Sequence, residues 1–215
     1  MATVVGEIAG SRGVTADLAT AEGVAALVAA EPAADIVINN LGMFAASDFF
    51  SDEDDALWEQ HWQVNVVSGL RVARAYLPGM AAKGWGRLIF ISSDSAFFIK
   101  PELIHYCVSK TANVATARGL AKRMKGTGVT VNSVLPGPTF SRGMAEALEE
   151  ARAASGKPLR EFATELIRDT SPNVLIQRPV EAEEVASLVT FLASDDAAAI
   201  TGSAMRVDGG VTDTL

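Results

Sequence analysis

Four short stretches of consecutive apolar residues, rich in β-branched side chains, punctuate the chain. They are Asp35-Ile-Val-Ile-Asn39, Arg87-Leu-Ile-Phe-Ile-Ser92, Val129-Thr-Val-Asn-Ser-Val-Leu135 and the shorter Ala204-Met-Arg-Val207. Such runs, apolar on successive positions, fit strands of a parallel sheet covered on both faces. Between them the period changes to that of a helix. Glu22 to Ala30 is alanine-rich and apolar at helical spacing, and Ser51-Asp-Glu-Asp offers an N-cap with acids for a long helix running to about Ala82. Further helices are predicted from about His105 to Met124 and from Glu181 to Ala193. Strands alternating with helices of this length give an α/β fold: a doubly wound parallel sheet in three layers, α/β/α, with right-handed crossovers. The whole of 1–215 reads as one domain. The segment 138–179 interrupts the alternation with two amphipathic stretches, Arg142–Ala154 and Leu159–Thr170, around Ser155-Gly-Lys-Pro158. It follows a strand, so it is expected over the carboxyl ends of the sheet, where ligands bind, as a substrate lid; a surface helix pair or oligomer contact is the alternative.

Charge narrows the partners. Eighteen basic against twenty-six acidic residues give −8, a balance that argues against nucleic acid, whose recognition draws on clustered Lys and Arg. No apolar run approaches the length of a membrane span, and the first residues lack the pattern of a signal peptide. Cys107 is the single cysteine, so no internal disulfide is possible and a reducing, cytoplasmic setting is expected.

The candidate chemistry lies in four residues. Tyr106 and Lys110, four apart on one predicted helix, share a face. Ser93 stands thirteen positions before the tyrosine, where a strand ends, and Asn65 lies further upstream. Lowering a phenol from about 10 into the neutral range takes roughly 3 pH units, about 4 kcal/mol. An ammonium at about 4 Å supplies a similar amount at an effective dielectric of about 20. Tyr106 could then exchange a proton with a substrate oxygen that Ser93 steadies. Each residue has an ordinary reading too: a buried ring, a solvated helix face, a strand-end turn. Met43, Phe44, Phe97, Phe98, Ile99, Met144 and Phe162 are candidates for an apolar pocket wall or for core. His105 reads as a solvent-facing residue at a helix start, and His61 with Trp58 and Trp62 as helix packing; no metal site is indicated.

In this order these residues resemble the short-chain dehydrogenase/reductase family, from about Gly13 onward. Asn39-Asn-Leu-Gly42 is similar to the family's Asn-Asn-Ala-Gly turn, and Asn65-Val-Val-Ser-Gly69 to its asparagine helix motif. Ile91-Ser-Ser93 with Tyr106-Cys-Val-Ser-Lys110 matches its catalytic serine, tyrosine and lysine, while Val131-Asn-Ser-Val-Leu-Pro-Gly-Pro-Thr139, Ile200-Thr-Gly202 and Val207-Asp-Gly-Gly210 match its later turns. The resemblance implies a Rossmann-like fold and hydride transfer between NAD or NADP and a small carbonyl or secondary alcohol. It implies Tyr106 as acid/base, Lys110 as the residue that lowers its pKa and binds the nicotinamide ribose, and Ser93 against the carbonyl oxygen. Asn65 would hold a water serving Lys110. Asp17 and Leu18 would meet adenine, Asn40 and Gly42 would pass beneath the cofactor, and Pro136, Gly137 and Thr139 would cover the nicotinamide. A homo-oligomer, dimer or tetramer, is implied as well.

One part of the family pattern is missing. Members open with a strand, a Thr-Gly-x-x-x-Gly-x-Gly turn, a helix and a second strand; here sixteen residues precede Asp17, and Gly6, Gly10 and Gly13 do not keep the spacing. The fold is therefore expected to be N-terminally incomplete, with Ala2–Ala9 the tail of a helix and Gly13–Leu18 the third of strands ordered 3-2-1-4-5-6-7. The strand at Asp35–Asn39 would become an edge, paired by Gly13–Leu18, by another chain, or by residues of a longer protein. The determinants of NAD against NADP would lie in the missing part. A non-catalytic scaffold that cannot bind dinucleotide is the competing reading.

Overall fold

The computed structural model describes residues 8–46, 48–50 and 54–213. In chain order these hold α1 (Ala21–Ala30), β1 (Ile36–Asn39), α2 (Asp54–His61), α3 (Ser68–Lys83), β2 (Gly86–Ile91), α4 (Ile104–Arg123), β3 (Val129–Pro136), β4 (Thr139–Phe140), α5 (Arg142–Ser155), α6 (Leu159–Thr170), β5 (Val180–Glu181), α7 (Ala182–Ala193) and β6 (Ala204–Val207). A π-helical stretch, Trp62–Val67, joins α2 to α3. The expected N-cap at Ser51 and most of the expected helix tail at Ala2–Ala9 lie outside the described residues.

The main sheet is parallel throughout, in the order β1-β2-β3-β6, which is the 4-5-6-7 half of the order expected. Ile38 stands beside Ile89 and Phe90 beside Ser133, so β1 and β3 flank β2 on its two sides. Alternate residues of β2 serve opposite layers. Leu88 and Phe90 enter a core with Val24, Val72, Tyr76, Leu77, Met80 and Ala117 from α1, α3 and α4. Ile89 faces the other way, onto Val134 and Leu192, with Ile91, Val185 and Val189 packed alongside.

Gly13–Leu18 does not form the expected strand. Its backbone groups are spent locally instead: the Asp17 carbonyl accepts from the Thr20 amide at 3.0 Å and the Thr20 hydroxyl at 2.8 Å. The same Thr20 hydroxyl caps α1 by accepting from the Gly23 amide. Gly23 is required there, since a Cβ would stand 1.9 Å from the Asp17 carbonyl oxygen. The segment is a turn clamped to the start of α1, and no described residue pairs with the outer side of β1. Ile36 and Ile38 are 44% and 40% exposed, as an unpaired edge requires.

The segment 138–179 rises from the end of β3 and is pinned at its base where β4 pairs with β5, Thr139 beside Val180. This places α5 above the carboxyl ends of the sheet strands.

Candidate active site

Beyond the carboxyl ends of β1, β2 and β3 the chain encloses a cavity of about 1030 Å³. Its wall includes Ser93, Tyr106 and Lys110, and also Asn40, Gly42, Pro136, Gly137 and Thr139. Eight positions singled out in the sequence thus converge on one space. From α5, Met144, Ala147 and Leu148 close it, and from α7, Val185, Ala186 and Val189. Met43 and Phe44 contribute from the loop after β1; Phe44 meets Tyr106 edge-on, with ring centroids 5.1 Å apart. Phe97, Phe98, Ile99 and Phe162, candidates for the same wall, do not line it, and α6 adds nothing to it.

The helix carrying Tyr106 and Lys110, α4, is fastened to the end of β2 and the turn after it by short polar contacts. Ser92 Oγ donates to the Lys110 carbonyl at 2.8 Å, and Lys110 Nζ donates to the Ile91 carbonyl at 3.1 Å. Thr111 Oγ1 donates to the Ala96 carbonyl at 2.9 Å. Asn65 lies behind the wall on the π-helical stretch and is wholly buried. Its Oδ1 accepts from the Met43 amide at 2.7 Å; its Nδ2 donates to the Met43 carbonyl at 3.1 Å and to Ser109 Oγ at 2.9 Å. Ser109 Oγ in turn donates to the Tyr106 carbonyl at 2.7 Å. Asn65 therefore holds the Gly42–Met43 loop against the helix carrying Tyr106, and the widened helical turn is where such a side chain fits. Gly42 sits where these groups meet: a Cβ there would stand 3.2 Å from Lys110 Nζ and 3.6 Å from Asn65 Oδ1.

The electrostatics differ from the sequence expectation. Burial pulls Lys110 from 10.5 down to about 8. Burial also raises Tyr106 above the usual phenol value; the facing Ser93 hydroxyl works downward, and the charges of Asp94 and Cys107 add to the rise. Lys110 is not among the groups that lower Tyr106 in this state: the amine lies over the ring face, 5.6 Å from its centroid, and donates to the Ile91 carbonyl. In this state Tyr106 keeps its proton at neutral pH, which suits a proton donor.

Some placements were not legible in advance. Asp94, next to Ser93, is buried and accepts from the Ser93 and Ser95 hydroxyls. His105 is buried rather than solvent-facing: its Nε2 is 2.8 Å from the Ala45 carbonyl, and its ring packs on His61, centroids 4.3 Å apart. Two expected positions stand apart. Asp17 is exposed, with Oδ1 accepting from the Ala19 amide, and Leu18 packs on the α1–α3 core. Neither lines the cavity, and nor do Gly10 and Gly13. Among the described residues there is no cluster able to hold a metal ion, and no helix is long and apolar enough to cross a membrane.

A parallel sheet with helices on both faces, and a serine, tyrosine and lysine gathered at its carboxyl end, define a class of Rossmann-like oxidoreductases. A family model described as enoyl-(acyl carrier protein) reductase matches residues 2–212. The chain is 46% identical over 181 residues to the uncharacterized oxidoreductase YvrD of Bacillus subtilis, spanning 84% of this chain and 68% of that protein. Among solved structures, a short chain dehydrogenase/reductase family protein superposes with a TM-score of 0.84 at 31% identity, over 99% of this chain and 82% of the other. L-sorbose reductase from Gluconobacter frateurii, complexed with NADPH and L-sorbose, gives 0.83 at 29% identity, over 94% and 77%. The chain belongs to the short-chain dehydrogenase/reductase family of oxidoreductases.

Proposed function

We propose that this protein interconverts a carbonyl and a secondary alcohol with NAD or NADP, on substrates whose non-reacting part is uncharged and largely apolar. The observation that carries this reading is the composition of one cavity wall. Ser93, Tyr106 and Lys110 stand together there, and most of the remaining side chains, such as Met43, Phe44, Met144, Leu148 and Val189, are apolar. Among the described residues Lys110 is the one charged side chain on the wall, and a buried wall without a further counter-charge disfavours ionic substrates.

The cavity suits the nicotinamide end of a dinucleotide, with Gly42 keeping open the approach to Lys110 and Asn65 that a Cβ would crowd. Asn40, Gly42, Pro136, Gly137, Thr139 and Lys110 would hold that end, and the cofactor supplies or takes the hydride. This chain's residues manage the oxygen. Ser93 and Tyr106 present hydroxyls to it, Tyr106 passes its proton to the oxygen as the carbon–oxygen π bond is broken, and Lys110, once its amine leaves the Ile91 carbonyl for the tyrosine oxygen, offers the charge that stabilises the resulting phenolate. In the reverse direction the phenolate takes the proton back. Assembly as a dimer or tetramer is part of the proposal, as is a cytoplasmic setting, for which the single cysteine, buried at Cys107, is support.

The position of Asp17 and Leu18 outside the cavity favours a second reading, a scaffold that does not bind dinucleotide. Titration with NADH and with NADPH, followed by tryptophan fluorescence, separates the two. Saturable binding, with ketone-dependent consumption of the bound form faster for apolar ketones than for keto acids, is expected. Absence of saturable binding of either cofactor contradicts the proposal and leaves the scaffold.

A further inference from the structure

We propose that Asp94 is a positioning residue that steers the Ser93 hydroxyl: as a charged carboxylate it draws the hydroxyl proton away from a bound carbonyl, and as a neutral acid it releases that proton to the carbonyl. The inference rests on the oxidoreductase reading above and adds a pH-sensitive element to it.

A serine hydroxyl has one proton and two lone pairs to distribute. Ser93 is extended, φ −167 and ψ 157, at the start of the single turn Asp94–Ala96. One lone pair accepts from the Ser95 amide at 3.1 Å. The proton goes to Asp94 Oδ1 at 2.8 Å, and the same oxygen accepts from Ser95 Oγ at 3.2 Å. What remains is its second lone pair, on the side of the Tyr106 hydroxyl that faces Ser93, and a substrate oxygen entering there meets that lone pair. That suits an alcohol, which can donate to it, and does not suit a carbonyl oxygen, which needs a donor. A neutral Asp94 reverses the bond, since its own O–H can donate to Ser93 Oγ and leave the serine proton to turn toward the cavity.

The carboxyl is placed where this change of state is accessible. Asp94 is 6% exposed; burial raises its pKa above the usual carboxylate value, while the Ser93 and Ser95 hydroxyls, the Lys100 charge and the Ser95 amide work downward. From α4, Tyr106 and Cys107 are the titratable groups that feel its charge. The neighbouring β3, Val129–Pro136, carries no titratable side chain. No proton is transferred through Asp94: the proton that reaches substrate comes from Tyr106, and Asp94 acts only by orienting Ser93.

Two measurements test this. In steady-state reduction of an apolar ketone at saturating reduced cofactor, kcat/KM of the native protein falls as Asp94 ionises. Asp94→Asn, whose amide can donate to Ser93 Oγ at every pH, stays on the acid plateau and is about fivefold faster at about pH 8, the size of one hydrogen bond gained. A D94N profile that superposes on the native one overturns the proposal. Independently of turnover, the Asp94 carboxyl is followed by carbon NMR in protein labelled at aspartate and assigned by its loss in D94N. Ser93→Ala removes a donor to the charged form and moves the Asp94 titration to higher pH; an unchanged titration overturns the proposal. If the native protein consumes no cofactor with any ketone, it is the oxidoreductase reading that fails, and the NMR titration alone decides the Ser93–Asp94 coupling.

Discussion

Arg87 and Lys110 are both cations sealed inside the protein, and they sit at opposite ends of the same strand. Arg87 is the second residue of β2 and is 1% exposed. Its guanidinium donates to the carbonyls of Ser194 at 3.1 Å, Gly86 at 3.0 Å and Gly128 at 3.4 Å, pairs with Asp195 at 3.5 Å, and stacks 4.4 Å over Trp85. Lys110 meets the far end of β2 with one hydrogen bond, to the Ile91 carbonyl; burial lowers its pKa to about 8 with no described carboxylate offsetting it. A hollow of about 700 Å³ also lies beside Arg87, lined as well by Arg118, Lys122 and Lys125, yet the buried cation there, Arg87, is already committed to backbone. The amino end of the sheet thus uses a buried charge to join elements, and every donor that matters is satisfied. At the carboxyl end the charge is left under-compensated beside a cavity, which is how functional sites differ from structural ones.

The largest break in this comparison should come from the proposed proton donor. Tyr106→Phe keeps the ring and its contact with Phe44, and should lower kcat/KM for ketone reduction by about a thousandfold, measured by cofactor absorbance, with the melting temperature little changed. Next in size, Arg87→Ala leaves several buried carbonyls without donors and should cost about 3 kcal/mol in denaturant unfolding. The pH dependence of stability sharpens the contrast. The folded pKa of Lys110, about 8, lies below the unfolded 10.5, so between these values the unfolded chain binds more protons and stability should rise with pH. That increment is absent at neutral pH, where the buried amine is charged, and unfolding curves at successive pH values will show it. Smallest is Gly42→Ala, whose Cβ would press on Lys110 Nζ from 3.2 Å; displacing the amine by a few tenths of an ångström should slow turnover about tenfold.

Much of the scaffold was legible because its strands are buried on both faces and so read as unbroken apolar runs. Ala204–Val207 and Leu159–Thr170 fall where the pattern placed them. Gly13–Leu18 failed for a reason that no local pattern contains: a strand needs a neighbour, and this segment instead spends its carbonyl at Asp17 on Thr20. The candidate residues Ser93, Tyr106 and Lys110 were legible by type and spacing, and the cavity gathers them. Their protonation was not, because burial decides it. The same helical spacing that predicted a lowered tyrosine leaves Lys110 over the ring face, while the desolvation that raises Tyr106 is a property of the assembled site. Asp94 was missed for a related reason: an acid at the start of a short turn reads as surface, and only the packing of α4 and Ser95 around it shows otherwise. Asn65 was flagged as an awkward helix residue, and the π-helical stretch that carries it is the structural answer.

Lys110→Met tests the account most directly, because it removes the charge while keeping most of the buried stem. Unfolding and ketone turnover are to be measured on the same preparation at neutral pH. The account predicts a protein more stable by about 3 kcal/mol, the cost of holding a buried ammonium whose pKa is so far lowered, and nearly devoid of ketone reduction. A variant that is less stable than the native protein, or one that turns over ketone at the native rate, would contradict it.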